Sequence, residues 1–362
     1  MKITFFINTL SSGGAEHQLT LLANMLDDKG YDVEIATYGD IPDHYKVNND
    51  IKRICLGVGK SRLCKIIGIF NFFRSNKTDV IISFCQQNNL ISGLSLILGL
   101  VRTKFIVSER NFTIGKSYWG EKILFKLIYR RASAIVPNSF SQSNYIQLKA
   151  PWLKKKLKPI INFTDLNVFK PIANNCNDKA IRFCVMARFE EQKNYKRFAY
   201  AIAILKEQGL NFKVDWYGSQ FIGSEFRKGY IELKKLIEEL GIEDTFQLYD
   251  SKQNIQQLLT QYDFFCLPSL YEGFSNAISE AICCGIPAVV SDVSDNSLMV
   301  KNGLNGYVCD PLDVGDIAVK LSKMIRLTDD ERKQMGIESR RIAENLFNKN
   351  NFIQSYINII EK

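Results

Sequence analysis

The chain has 362 residues, of which 46% are hydrophobic and 23% charged; that is room for two domains and too apolar for a disordered chain. Nine cysteines without a CxxC pair point to reduced thiols in a cytosol-like compartment. With only two histidines, His17 and His44, they argue against a Cys/His zinc site. The net charge of +9 sits in the first half: residues 1–165 hold 23 Lys/Arg against 12 Asp/Glu, whereas residues 166–362 hold 24 against 26. A basic half calls for an anionic partner such as a membrane surface, a lipid phosphate or nucleic acid.

The chain opens directly on a strand, Lys2–Asn8, with no signal-peptide pattern. A glycine-containing turn, Thr9–Gly14, leads to a helix over about Ala15–Leu26, whose Leu19, Leu22, Ala23 and Leu26 share one face. Strands follow at Tyr31–Tyr38, Ile51–Leu56, Asp79–Cys85, Lys104–Ser108, Ala134–Pro137 and Pro159–Asn162, with helical patterns between several of them. The most apolar stretch, Leu90–Val101, falls short of the ~20 residues that cross a bilayer, so no integral membrane protein is expected.

Pro171 and the polar run Asn174–Lys179 read as a linker, after which the alternation restarts. Strands are expected at Ile181–Ala187, Phe212–Tyr217, Thr245–Tyr249, Phe264–Leu267, Ala288–Val290 and Gly306–Val308. Helices are expected at Tyr195–Gln208 and Glu225–Leu240, and from Asp313 to the end. Alternating strands and helices give parallel, doubly wound sheets. The expected fold is α/β, with two Rossmann-like doubly wound parallel-sheet domains facing a central cleft. The first turn, TLSSGGAE, lacks GxGxxG, and no acid closes the second strand, which tells against a dinucleotide cofactor. No recognition helix or RNA-stacking motif is evident, so nucleic acid is not an expected partner.

Phe264–Val290, FFCLPSLYEGFSNAISEAICCGIPAVV, reads as strand, loop, helix and strand. Ser275 or Asn276 can cap the helix, and Gly285 can end it in the left-handed conformation. The loop lies at the carboxyl edge of a parallel sheet, where ligands bind, and the helix start favours an anion. Glu272 in the loop and Glu280 one turn into the helix can accept hydrogen bonds from sugar hydroxyls. The plainer alternative is a solvated loop acid and a favourable charge in a first helical turn. A second constellation, MARFEEQKN, sets Arg188 and Lys193 at the carboxyl edge of another strand. Arginine forks onto a diphosphate and lysine serves as a point charge, so the pair can steady a departing diphosphate. The alternative is two ordinary surface charges at a helix entrance.

SSGGAE (11–16), ARFEEQKN (187–194) and the glutamate pair of YEGFSNAISE (271–280) resemble glycosyltransferase family 4, retaining enzymes of the two-Rossmann-domain GT-B fold. PAVVSDVSDNSLMVKNGLNGYVCDPLD matches the family's usual continuation, and the likeness runs over essentially the whole chain. It implies an acceptor-binding domain over 1–168, a nucleotide-sugar-binding domain over 175–344, and a last helix of about 345–362 that packs back onto the first. It further implies that Arg188 and Lys193 contact the donor diphosphate, that Glu272 holds a hydroxyl of the donor sugar, and that Glu280 takes the ribose hydroxyls. The backbone of Gly273, Phe274 and Ser275, with Asn276, would face sugar and phosphate, and Gly13 and Gly14 would let the first loop approach the phosphates. Two departures stand out. Gly218-Ser219-Gln220 replaces the common Gly-x-Gly, and SERN stands where some relatives carry a cleft histidine, leaving Glu109, Arg110 or Asn111 to the acceptor.

The resemblance implies metal-independent transfer without a cofactor, in line with the missing DxD motif, and a donor most often linked to UDP. The basic amphipathic stretch 59–77, and Trp152 with Lys154–Lys158, can rest on anionic lipid. The expected protein is therefore a cytoplasmic enzyme, peripheral on the inner face of the plasma membrane, that moves a hexose or N-acetylhexosamine from a UDP-sugar to a lipid-linked saccharide acceptor in bacterial surface-glycan assembly. A nucleotide-sugar epimerase of related fold and a non-catalytic glycan-binding protein are the alternatives; the glutamate pair and the missing cleft histidine oppose the first, and the intact Arg188, Lys193, Glu272 and Glu280 the second.

Overall fold

A computed structural model describes residues 1–11, 13–39, 41–57, 62–110, 121, 123–171, 180–219 and 224–362. The chain divides into two compact units, one of Met1–Phe163 with Lys349–Lys362, the other of Thr164–Asn348. Among the described residues no helix is long and apolar enough to cross a membrane.

The first unit is built on a six-stranded parallel sheet of order β3-β2-β1-β4-β5-β6. Its strands are β1 (Lys2–Ile7), β2 (Asp32–Thr37), β3 (Lys52–Cys55), β4 (Val80–Phe84), β5 (Lys104–Glu109) and β6 (Ala134–Pro137). β1 and β4 are buried nearly throughout, because helices cover both sheet faces. Helix α1 (Gly14–Asp27) buries Leu19, Leu22, Ala23 and Leu26, the stripe its period predicts. Helices α2 (Arg62–Ser75) and α3 (Gln86–Leu98) follow, then a π-helical segment (Leu124–Tyr129), α4 (Phe140–Lys149) and a 3₁₀ turn (Pro151–Lys156). No strand forms at Pro159–Asn162. Lys158 and Ile160 donate to the Ile135 and Pro137 carbonyls, but the pairing goes no further than these two bonds and an isolated bridge between Ile135 and Leu157.

The second unit repeats the plan with order β12-β11-β10-β7-β8-β9. Its strands are β7 (Ile181–Met186), β8 (Phe212–Tyr217), β9 (Phe246–Tyr249), β10 (Phe264–Leu267), β11 (Ala288–Ser291) and β12 (Gly306–Cys309). Between them run α5 (Tyr195–Glu207), α6 (Ser224–Glu239), α7 (Ile255–Leu259), α8 (Asn276–Cys283) and α9 (Asn296–Met299). The residues after Asp313 are helical, as expected, in three helices: α10 (Val314–Ile325), α11 (Asp329–Leu346) and α12 (Lys349–Glu361). Thr328 starts α11 with a full capping box to Glu331, which ends the α10 run. The core gathers Phe183, Phe189, Phe198, Trp216 and Phe246.

The last helix, α12, belongs to the first unit. Tyr31 donates to Glu361, Lys104 to the Ile360 carbonyl, and Arg110 to the Tyr356 hydroxyl. Phe163 packs on Phe352 at a centroid distance of 5.4 Å.

Candidate active site

In the second sheet the strand order turns around between β7 and β10, which pair in parallel. Chains leaving such neighbours diverge onto opposite faces and leave a crevice at the carboxyl edge. The loop after β7 carries Arg188 and Lys193, and the loop after β10 carries Glu272. The topology therefore brings together two stretches some eighty residues apart.

Among the described residues, four polar contacts tie the two loops, and a fifth runs to the turn after β12. Leu270 N–H donates to the Gln192 carbonyl at 2.8 Å, and the Gln192 side-chain amide donates to the Tyr271 carbonyl at 2.8 Å. The Asn194 amide donates to the Pro268 carbonyl at 3.0 Å and to the Pro311 carbonyl at 2.7 Å. Lys193 Nζ sits 2.6 Å from Glu272 Oε1, with both side chains largely buried. Asn194 takes the left-handed conformation at φ 59°, which asparagine tolerates better than most residues, and from there starts α5. Arg188, by contrast, is 57% exposed and lies 3.4 Å from Glu190.

Ser275 is the cap of α8, its hydroxyl accepting from the Ile278 N–H at 3.4 Å. Gly285 closes the turn after the helix at φ 73°. Ser294 donates to the Gly273 carbonyl at 2.5 Å and so fixes the loop from its far side. The Phe274 ring is buried and meets Phe347 edge-on at 6.2 Å, so this residue offers the loop its backbone only. Glu280 is buried, and among the described residues no ion pair or hydrogen bond reaches its carboxyl. Burial alone raises its pKa from 4.5 to about 8. The solvated first-turn charge is thus not what the structure holds. A buried acid without a partner is a costly feature, and a ligand that donates hydroxyls to it would offset the cost.

In the first unit the strand order turns around between β1 and β4. Gly13 is the N-cap of α1, and a Cβ there would collide with the Glu16 carboxylate folded beneath it. Gly14 begins the helix. Glu109 ends β5, accepting from the Asn89 amide at 3.0 Å and the Gln142 amide at 3.2 Å. Burial, only partly offset by these donors and by Arg110, pushes its pKa up to about 8. Arg110 is engaged within the fold, donating to Asn162 at 2.7 Å and to the Tyr356 hydroxyl at 2.6 Å, with its guanidinium 4.4 Å from the Phe84 ring centroid. Asn111 lies outside the described residues.

Sequence reasoning passed over Gln192, Asn194 and Ser294, which position the site without facing it. One signal was present at Asn194, an asparagine at the turn into a helix. Among the described residues no group of His, Cys, Asp and Glu is arranged to hold a metal ion.

Comparison with known proteins decides the family. Residues 169–342 match the family model described as "Glycosyl transferases group 1". A Campylobacter jejuni protein is 27% identical over 90% of this chain and 89% of its own; it is named GalNAc-alpha-(1->4)-GalNAc-alpha-(1->3)-diNAcBac-PP-undecaprenol alpha-1,4-N-acetyl-D-galactosaminyltransferase. The second unit belongs to the group 1 glycosyl transferases. An Escherichia coli relative of this glycosyltransferase, UDP-Gal:alpha-D-GlcNAc-diphosphoundecaprenol alpha-1,3-galactosyltransferase, is 28% identical over 55% of this chain and 51% of its own. Among solved structures, Anabaena HepE in complex with UDP and glucose superposes with a TM-score of 0.83 at 18% identity and covers 100% of both chains. Sucrose-phosphate synthase from Thermosynechococcus elongatus gives 0.83 at 16% identity, covering 99% of this chain and 98% of its own. These two likenesses show the fold, which is GT-B.

Proposed function

We propose that this glycosyltransferase moves a hexose or N-acetylhexosamine from a UDP-sugar to a lipid-linked saccharide, with retention and without a metal, in bacterial surface-glycan assembly. The observation that carries the reading is the buried Lys193–Glu272 pair beside the capped start of α8 and the partnerless Glu280. A cation for phosphate, an acid for a sugar hydroxyl and a second acid for ribose then stand in one short stretch of sheet edge. The names of the Campylobacter and E. coli relatives, which act on undecaprenyl-linked sugars, support the acceptor class.

In the proposed reaction the acceptor hydroxyl attacks the sugar on the face the diphosphate leaves. The C1–O bond to the diphosphate breaks as the new glycosidic bond forms, and a donor phosphate oxygen takes the hydroxyl proton. Arg188, 57% exposed beside Glu190, contacts the diphosphate. Lys193 shares its charge between Glu272 and the leaving phosphate, so the pair holds the Glu272 carboxylate in place before the donor arrives. Glu109 is the acceptor-side group of the SERN stretch, with Arg110 serving as its support, and peripheral attachment to the inner membrane face would bring the acceptor within reach.

The test is nucleotide release from UDP-hexose and UDP-N-acetylhexosamine with an undecaprenyl-diphosphate-linked saccharide, followed by NMR of the product anomer. Acceptor-dependent UDP release with an α-linked product from an α-linked donor is expected. An inverted product, or no release with any UDP-sugar that raises the melting temperature, would overturn the proposal.

A further inference from the structure

Among the described residues, five helices end in the same turn. In each, one N–H reaches back three residues and the next reaches back five, the arrangement that places its first residue in the left-handed conformation. Four use glycine there: Gly30 at φ 84°, Gly209 at 71°, Gly241 at 60° and Gly285 at 73°. The fifth, at the end of α3, uses Leu100 at φ 50°. Leu100 N–H donates to the Ile97 carbonyl and Val101 N–H to the Leu96 carbonyl, so the geometry is otherwise the same. A γ-branched apolar residue in this conformation is strained. Leu100 is also 86% exposed, and its neighbour Leu98 is 66% exposed. Two unfavourable features in one residue call for something that covers it.

The surroundings name the occupant. Arg131 donates to the Val101 and Thr103 carbonyls, which puts the end of the π-helical segment beside this turn. Lys156 donates to the Arg130 and Ala132 carbonyls, which brings the Pro151–Lys156 turn alongside as well. Trp152 on that turn is 55% exposed, and Lys154 and Lys155 beside it are exposed. Between Val80 and Thr164 the sequence has 13 Lys/Arg and two acids, Glu109 and Glu121. Glu109 is buried, and Glu121 accepts from Tyr145. An apolar turn in a basic field fits an anionic bilayer. A second copy of the chain would set like charges against each other.

We infer that the Leu98–Leu100 turn is a membrane anchor that inserts among the lipids while Arg102, Arg130, Lys154 and Lys155 contact anionic headgroups and Trp152 lies at the interface. The inference takes up the peripheral-membrane part of the function proposed above and moves its centre. In the stretch 59–77, α2 turns Ile69 and Phe73 into the core and leaves Ile66 and Ile67 less exposed than Leu98 and Leu100. Lys60 lies outside the described residues.

Sedimentation of the full chain with phosphatidylcholine vesicles, with and without phosphatidylglycerol, tests the inference. The wild type should bind vesicles containing phosphatidylglycerol, and less so at high salt. K154Q/K155Q should lower that partition about 25-fold. L98S/L100G should lower it about a hundredfold, with the loss persisting at high salt. The single change L100G separates anchoring from folding, because it should raise the melting temperature as strain is relieved while weakening vesicle binding. Wild-type binding in all variants, or equal binding to neutral vesicles, would overturn the inference. So would a concentration-dependent dimer that L98S/L100G abolishes without vesicle binding in the wild type. The UDP-induced rise in melting temperature should be the same in every variant; its loss with vesicle binding intact would sink the proposed function and leave the anchor standing.

Discussion

Replacing Glu280 with glutamine tests both the burial of this acid and its role. The folded-state pKa of about 8 lies above the ordinary 4.5. An acid raised in this way stabilises the fold fully below pH 4.5, and the contribution is lost as pH rises towards 8. The shift corresponds to a ceiling of roughly 5 kcal/mol, at about 1.4 kcal/mol per unit. Urea unfolding of the ligand-free protein should therefore show stability falling between about pH 5 and pH 9. Glu280→Gln, which keeps shape and stays neutral, should remove the part due to this residue, on the order of 2–5 kcal/mol, and leave the part due to Glu109. It should be close to neutral at the acid end and stabilising at the alkaline end. Ribose hydroxyls that donate to Glu280 favour its ionised form, so nucleotide binding should release a proton and tighten as pH rises. The variant should bind UDP about ten- to a hundredfold more weakly, the loss of one charge-assisted hydrogen bond, with no pH dependence from this site. A variant with the same stability slope as the wild type would show that the Glu280 carboxyl is not held neutral, and the reasoning would fail.

Other substitutions probe the rest of the site. Glu272→Ala leaves the Lys193 ammonium largely buried beside an empty position and should lower turnover by several orders of magnitude, while the melting temperature falls by only a few degrees; near-normal turnover would count against its assignment. Asn194→Ala removes the amide that holds the Pro268 and Pro311 carbonyls and puts alanine in a left-handed turn, so it should cost about 2–3 kcal/mol in urea unfolding; Asn194→Gly should recover the part due to the backbone. Gly229 in α6 lies where a Cβ would press on the Phe189 carbonyl, so Gly229→Ala should destabilise by about 1–3 kcal/mol and weaken UDP binding by shifting the loop of Arg188. Arg110→Ala should free α12 and speed proteolysis near residues 345–349, as seen by mass spectrometry, more than it slows nucleotide binding.

The sequence carried the alternation of strands and helices almost in full, because strands covered on both faces need near-continuous apolar runs, as in Val80–Phe84 and Phe264–Leu267. It carried the cap at Ser275 and the stop at Gly285 for the same local reason: each is set by a single residue's chemistry. Pro159–Asn162 misled because an apolar, proline-led run resembles an edge strand, and only the number of bonds it makes to β6 tells them apart. The pairing of Lys193 with Glu272 was out of reach, since it depends on β7 lying next to β10, a neighbourhood that no local pattern encodes. The burial of Glu280 was hidden too, because its place in the helix fits a solvated charge equally well. Leu100 looked like one more apolar residue in the run from Leu90 to Val101, and only its backbone angle and exposure set it apart.

Calorimetric titration of UDP into the wild type, Lys193→Ala, Arg188→Ala and a remote control, Lys235→Ala, tests the central claim most directly. Loss of either proposed phosphate contact should weaken binding about ten- to a hundredfold, with the control unchanged. Equal affinity in all four proteins would contradict the claim that the loops after β7 and β10 hold the donor.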